Sequence, residues 1–401
     1  MVADARAPYS LPTWLVSQAG MDASLDDARA RLGRIGTELG QIFVERAEVV
    51  EGALAALLAG QHVLLIGPPG TAKSMLADAL CQRIDGARYF QWLLTKFTTP
   101  EEVFGAVSLQ ALERDEYRRV TTNKLPEAHI AFLDEVFKAS SSILNALLTL
   151  LNERRFDNGR ERIEAPLVTL FGAANELPEE DELSAIYDRF LVRFVVDYVV
   201  EDWRFLRMLR AEAPSAVTTV SFADLDRLSR AAAAIEIPDA VLRQIVELRR
   251  ALGGAGVVAS DRRYRQSLGL LRALALLRGK SAVQDDEVMF LEHVLWRDPA
   301  ERETVREHLR KLVHGYDEEV QELVFQGREL AEYAERAWAT PEERARARIE
   351  VETKIRRILV RLDEIEGEAR AAGRSVARAA SARDELDTIR RSLGGPRLSG
   401  R

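Results

Sequence analysis

This 401-residue sequence predicts an α/β core, a parallel sheet flanked by helices, followed by an all-α domain and an elongated helical arm. Three observations carry that prediction. Short continuous apolar runs alternate with helical patterns as far as residue 200, as expected of strands buried on both faces of a parallel sheet. Beyond Glu201 the strand-type runs stop and helical patterns alone follow. From Pro299 the composition turns rich in Glu, Arg and Ala. The expected boundaries are residues 1–200 for the α/β domain with a helical lead-in, 201–298 for the all-α domain, 299–393 for the arm and 394–401 for a disordered tail.

From Ser24 to Gly60 the apolar positions Ile35, Leu39, Ile42, Phe43, Val49, Val50, Leu54 and Leu57 predict a helix that Gly60 closes. His62–Ile66 is the first strand, and similar runs follow at Ala87–Leu94, Ile130–Leu133, Leu167–Phe171 and Leu191–Val200. Helical patterns at Ser74–Ile84 and Ser140–Asn152 lie between them. Asn158-Gly159 predicts a hairpin, because both residues tolerate positive φ. Phe222–Ile235, Pro238–Leu252, Asp261–Arg278 and Asp285–Trp296 form the all-α unit. Thr340-Pro341-Glu342-Glu343 is a capping box that starts a new helix. Its seam of Val351, Ile355, Ile358, Leu362, Ile365 and Ala369 steps by threes and fours, and Leu386, Ile389 and Leu393 continue it. The arm therefore reads as a helical hairpin or a three-helix unit.

Composition narrows the function. A chain of this length exceeds one compact core, and 47% hydrophobic with 30% charged residues is an ordinary globular composition. A net charge of −8 argues against a protein that depends on gripping nucleic acid. A local basic lining stays open, from Arg118, Arg119, Lys124 and the Arg154–Arg162 hairpin. The single cysteine, Cys81, forms no internal disulfide and reads as a small buried hydrophobe, which suits a reducing compartment. No signal peptide is expected in Met1–Gly20, and no apolar run is long enough to span a bilayer, so a cytoplasmic location is expected. The five histidines show no metal-ligand spacing.

The chemistry concentrates at the ends of the predicted strands. Gly67-Pro68-Pro69-Gly70-Thr71-Ala72-Lys73-Ser74 follows the first strand and opens a helix, the setting of a phosphate-binding loop; the nucleotide-binding set runs through Met75. Backbone N–H groups and the helix N-terminus would cradle the phosphates of ATP, with Lys73 on the β- and γ-phosphates and Ser74 on Mg2+. Ala72 stands where a second glycine is usual, which is tolerable if that residue is already helical. Ile130–Leu133 ends in Asp134 and Glu135, and an apolar strand ending in paired acids is poorly explained by folding alone. Asp134 is expected to complete the magnesium shell and Glu135 to activate the attacking water. Asn175 closes the next strand within reach of the γ-phosphate. Arg189 precedes the last strand, where ring-shaped motors place an arginine that reaches a neighbouring subunit's nucleotide; Arg193 competes for the role. Ser260 is an expected N-cap, and Arg262, with Arg263 as its rival, is expected to reach back to the phosphates.

With these residues in place, the sequence resembles the MoxR branch of AAA+ ATPases, and within it the RavA-like group. The resemblance covers roughly Ile35–Trp296 and rests on Gly67–Ser74, Thr98–Gly105, Leu125–Ala128, Phe132–Glu135, Ser142–Glu153, Asn175–Glu179, Tyr187–Phe190 and Ser260–Arg263. It implies a hexameric ring, a helical lid, and a helix-2 insert at Thr99–Thr122 that faces the pore together with the hairpin. It also implies a von Willebrand factor A-domain partner and a chaperone-like action on a client protein. RavA-like chains interrupt their helical arm with a β-rich insert that binds a lysine decarboxylase. Here Pro299–Gly395 reads as wholly helical, so that partnership is not carried over. A nucleic-acid motor and a chelatase-like metal-insertion motor share the same core and are the rival readings.

Overall fold

The structure, a computed structural model, describes residues 13–177, 181–210, 217–313, 316–371 and 376–393. They fall into two compact units, Met1–Val305 and Arg306–Arg401.

The first unit begins with α1 (Thr13–Ile42) and α2 (Ala47–Leu58), which lead into β1 (His62–Ile66). The single helix expected up to Gly60 is thus two. The chain breaks at Phe43–Arg46, where Glu45 is left-handed at φ 63° and the Arg46 guanidinium donates to the Asp197 carbonyl. After β1 come α3 (Lys73–Cys81), β2 (Ile84–Asp85), β3 (Tyr89–Leu93), α4 (Pro100–Phe104), α5 (Leu109–Leu112) and β4 (Ile130–Asp134). Then follow α6 (Ser141–Glu153), the strands β5 (Arg155–Asn158) and β6 (Glu161–Glu164), β7 (Thr169–Ala174), α7 (Asp181–Tyr187) and β8 (Phe190–Val195). The main sheet is parallel throughout, in the order β3-β4-β7-β1-β8. Strands β1 and β7 are buried at every position, which is why they read as unbroken apolar runs rather than alternating ones. An open α/β sheet presents its ligand site at the carboxyl ends of its strands. Here β4, β7 and β1 are neighbours, so the segments that follow them converge at one edge.

Beyond β8 lie α8 (Asp202–Leu209), β9 (Val220–Ser221), α9 (Phe222–Ala234), α10 (Asp239–Gly254), α11 (Asp261–Leu277) and α12 (Asp285–Met289). Strand β9 corrects the expectation that strands end near Glu201. Its two residues pair in parallel with β2, which is too short a run to leave a period-2 signal. The expected hairpin β5–β6 is present, but it turns one residue later than expected, at Gly159-Arg160, because Asn158 pairs with Glu161 as the last residue of β5 and Gly159 alone of the expected pair has positive φ; the turn is fused to the 105–122 segment. The Asn158 amide accepts from Arg119 N–H at 2.6 Å and donates to the Arg119 carbonyl at 3.1 Å. A side chain on Gly159 would meet the Tyr117 carbonyl, 1.7 Å from an added Cβ.

Helix α13 (Arg302–Val313) crosses the boundary between the units, and α14 (Asp317–Glu335), α15 (Pro341–Ala371) and α16 (Ala377–Leu393) make up most of the second. Thr340 and Glu343 form the expected capping box through Thr340 N–H to Glu343 Oε2 (3.1 Å) and Glu343 N–H to Thr340 Oγ1 (3.2 Å). The predicted seam is the core: Val351, Ile355, Ile358, Leu362 and Ile365 are buried with Val320 of α14 and Leu386 of α16. Of the two forms open at sequence level, the arm takes the three-helix one. The tail called disordered, 394–401, lies outside the described residues.

Candidate active site

The loop between β1 and α3 is held by backbone hydrogen bonds at both sides. Gly67 N–H donates to Ala174 O (3.0 Å), and Val196 N–H donates to Ile66 O (2.7 Å). A Cβ on Gly67 would come within 2.0 Å of the Val196 carbonyl, so only glycine fits between these strands. Thr71 Oγ1 donates to Pro68 O at 3.0 Å and rounds the loop. Ala72 departs from its expectation. It is not helical but left-handed, at φ 63° and ψ 25°, and it caps α3 from outside. An L side chain is disfavoured there by about 1–2 kcal/mol, the reason glycine is usual at such a turn.

Lys73 is buried, and its Nζ donates to Gly67 O (2.6 Å), Pro68 O (2.9 Å) and Asn175 Oδ1 (3.3 Å). Burial pulls the Lys73 ammonium below its ordinary pKa, and the Asp134 and Glu135 carboxylates oppose that shift. Asn175, just past β7, uses its other face: Nδ2 donates to Glu135 Oε1. Glu135 reaches this position because its backbone is left-handed, at φ 52°, immediately after β4. Its N–H donates to Asp134 Oδ1 at 3.0 Å, and Lys138 Nζ lies 3.3 Å from Oε2. Helix α3, which Lys73 and Ser74 open, packs on β4, the strand that ends in Asp134. The three strand ends thus assemble Lys73, Asn175 and Glu135 into one hydrogen-bonded chain beside Asp134.

Next to the loop is an apolar cavity of about 290 Å³. Gly70, Thr71, Ala72 and Met75 form one wall, Ile42, Phe43 and Val44 the second, and Tyr198, Val199, Phe205 and Met208 the third. Tyr198 Oη donates to Pro69 O at 3.1 Å. Its size and lining suit the planar base of a nucleotide. Of these residues only the loop members Gly70–Ala72 and Met75 were expected. The others come from the α1–α2 break and the segment after β8, which carry no motif.

Arg189 and Arg262 are not in the Lys73 cluster, and Arg189 feels the charge of Arg262. Burial lowers the Arg189 pKa first, and repulsion by Arg262 adds to it. Arg262 Nη2 donates to Asn152 Oδ1 at 2.9 Å. Their rivals are buried scaffold. Arg193 donates to Trp296 O (2.5 Å) and Tyr187 O (3.1 Å) and lies 3.8 Å from the Tyr187 ring centroid. Arg263 donates to Val294 O, Leu191 O (both 2.6 Å) and Phe190 O (3.0 Å). Desolvation takes Arg193 down to about 10 and Arg263 to about 9, both still cationic at neutral pH.

The basic residues offered for a nucleic-acid lining are largely engaged. Arg154 turns inward to Gly60 O (2.6 Å) and His62 Nε2 (2.8 Å). Arg119 pairs with Glu101 (2.9 Å), Arg162 with Asp157 (2.7 Å), and Lys124 donates to Glu102 O (2.9 Å). Cys81 is buried, and burial pushes its thiol up to about 12, as an inert core residue. Among the described residues one grouping, Glu48, Glu292 and His293, brings three possible ligand atoms within 4.8 Å of one another. Glu292 and His293 are neighbours in sequence but Glu48 is 244 residues before Glu292, so spacing had no means of showing the group. His293 Nε2 lies 3.2 Å from Glu292 and 3.5 Å from Glu48, as an imidazole between two carboxylates.

A parallel sheet with a phosphate loop after one strand, paired acids after a second and a polar residue after the strand between them, followed by a helical lid, defines the AAA+ class. The family described as the MoxR domain in MoxR-vWA-beta-propeller ternary systems matches residues 30–226, and an AAA lid domain matches 240–309. The chain belongs to the MoxR family of AAA+ ATPases. An uncharacterized protein of Methanocaldococcus jannaschii is 38% identical over 292 residues, 72% of this chain and 76% of that one. Chaperone MoxR1 of Mycobacterium tuberculosis is 29% identical over 271 residues, 63% of this chain and 71% of that one. A crystal structure of a Cytophaga hutchinsonii protein shares the fold, with a TM-score of 0.60 at 17% identity, covering 74% of this chain and 98% of that chain. No helix among the described residues is long and apolar enough to cross a membrane.

Proposed function

We propose that this chain hydrolyses ATP as a subunit of a hexameric ring, in which Arg189 acts on a neighbouring copy, and couples the cycle to remodelling of a client protein. The observation that supports it most is the Lys73–Asn175–Glu135 chain beside Asp134 at the end of three adjacent strands. In this reading the loop amides and Lys73 hold the β- and γ-phosphates, and the apolar cavity takes the adenine. Ser74 and Asp134 offer the hard oxygen donors that suit Mg2+, which when bound offsets the phosphate charge. Glu135 accepts the proton of the attacking water, and Asn175 orients Glu135 and the γ-phosphate. Arg189, which feels the charge of Arg262, stabilises transition-state charge from a neighbouring copy in a hexameric ring.

The description of the matching family supports a von Willebrand factor A-domain partner, and the MoxR1 relative supports a chaperone-like role. The three-helix arm is consistent with a RavA-like chain lacking the β-rich insert. The basic side chains engaged by carboxylates and carbonyls weigh against a nucleic-acid track. A cytoplasmic location accompanies this reading. Affinity capture with Glu135→Gln, with and without ATP and with Lys73→Ala as control, tests it. ATP-dependent enrichment of a von Willebrand-type protein and one client is the expected result. Enrichment of nuclease-sensitive material instead would replace it with the nucleic-acid reading.

A further inference from the structure

Both carboxylate oxygens of Glu135 are engaged. Oε1 accepts from Asn175 Nδ2, and Oε2 lies 3.3 Å from Lys138 Nζ. The second contact follows from the local backbone. Glu135 is left-handed, and Val136–Lys138 is a single 3-10 turn closed by Lys138 N–H donating to Glu135 O at 2.8 Å. That turn brings residue 138 back over residue 135. The two ends of the pair differ in environment: the Glu135 side chain is 15% exposed and that of Lys138 61%. A half-buried base is thus tied to a cation that solvent reaches. The intervening Phe137 packs against Tyr187, with ring centroids 6.0 Å apart, two residues before Arg189. The same turn therefore touches the edge that carries the arginine assigned to a neighbouring copy.

We propose that Lys138 is a positioning residue that holds Glu135 in its resting arrangement and restrains hydrolysis while the pair is closed. This deepens the ATPase reading and rests on it. An ammonium on Oε2 competes with the attacking water for the lone pairs that must take its proton. A pair with one end in solvent is weak, so the restraint is partial and lifts whenever the ammonium turns away from Glu135.

Steady-state ATP turnover of the full chain is measured for the wild type, Lys138→Met and Lys138→Arg, with Glu135→Gln alongside and nucleotide affinity determined on the same samples. Lys138→Met is expected to raise kcat about two- to fivefold, the range an exposed ion pair is worth, with KM for ATP unchanged. Lys138→Arg, which keeps the pair, is expected to stay near wild type. An unchanged or lowered kcat in Lys138→Met with intact nucleotide binding overturns the restraint, as does Lys138→Arg behaving like Lys138→Met. Equal turnover in Glu135→Gln and the wild type removes Glu135 as the base, and with it this proposal, while no turnover in the wild type removes the ATPase reading itself.

Discussion

The α/β core and the three-helix arm reach order by opposite means. In the arm, propensity, capping box and apolar seam all agree, and Val351, Ile355 and Leu362 are fully buried on one line. Its surface pairs, such as Arg328 with Glu385 (2.7 Å), are exposed and contribute little. In the core, Ala72, Glu135 and Arg154 are left-handed without being glycine, and Lys73, Arg193 and Arg263 are buried cations. Local rules are broken where chemistry has to be placed, and the regular parts of the fold hold those departures in position.

Substitutions can break or sharpen that contrast. The largest expected effect lies in the arm, where stability rests on packing alone. Ile355→Ala should destabilise the second unit by about 2–5 kcal/mol, read as faster hydrogen exchange across α14–α16. Exchange in β1 and β7 should be unchanged; equal acceleration there would mean the units do not divide as described. In the core, Gly67→Ala drives a Cβ onto the Val196 carbonyl. A loss of about 1–3 kcal/mol is expected, together with ATP binding, and a stable, binding-competent variant would contradict the close approach.

A third effect is pH-dependent. Burial first, then Arg154, holds the His62 pKa well below its ordinary value, and Nδ1 accepts from Leu170 N–H at 3.0 Å. The folded state keeps this imidazole neutral, while the unfolded chain takes up a proton near pH ~6.5. Its contribution is therefore complete above that pH and declines as pH falls towards the depressed folded value, by at most about 1.4 kcal/mol per unit. Denaturation midpoints of the core at pH 7.5 and 5.5 should converge in His62→Gln relative to wild type; an identical slope in both proteins would remove His62 as the cause. The smallest effect is at Ala72. Relief of its left-handed strain, less the added freedom of glycine when unfolded, should make Ala72→Gly more stable by about 0.5–1 kcal/mol. A loss of stability would show that the strain is absent.

The contrast also explains what the sequence made legible. Parallel strands buried on both faces leave continuous apolar runs, so the sheet, the phosphate loop and the paired acids could be read in one dimension. The arm's seam was equally plain. What escaped was contact between distant segments. The base cavity joins the α1–α2 break to the chain after β8, and strand β9 has only two residues. Arg193 from Arg189, or Arg263 from Arg262, cannot be told apart by pattern, because burial is decided by packing against Tyr187, Trp296 and Val294. Ala72 was expected to be helical, but the hydrogen bonds that hold the loop between β7 and β8 force the chain through a left-handed turn at its exit.

The central claim is that Glu135, held by Asn175 beside Lys73, is the base for ATP hydrolysis. The most direct test measures ATP binding and turnover on the same preparations of wild type and Glu135→Gln. The account predicts retained ATP binding in the variant with turnover lowered about 10²–10⁴-fold, the usual contribution of a general base. Turnover at the wild-type rate in Glu135→Gln would contradict it.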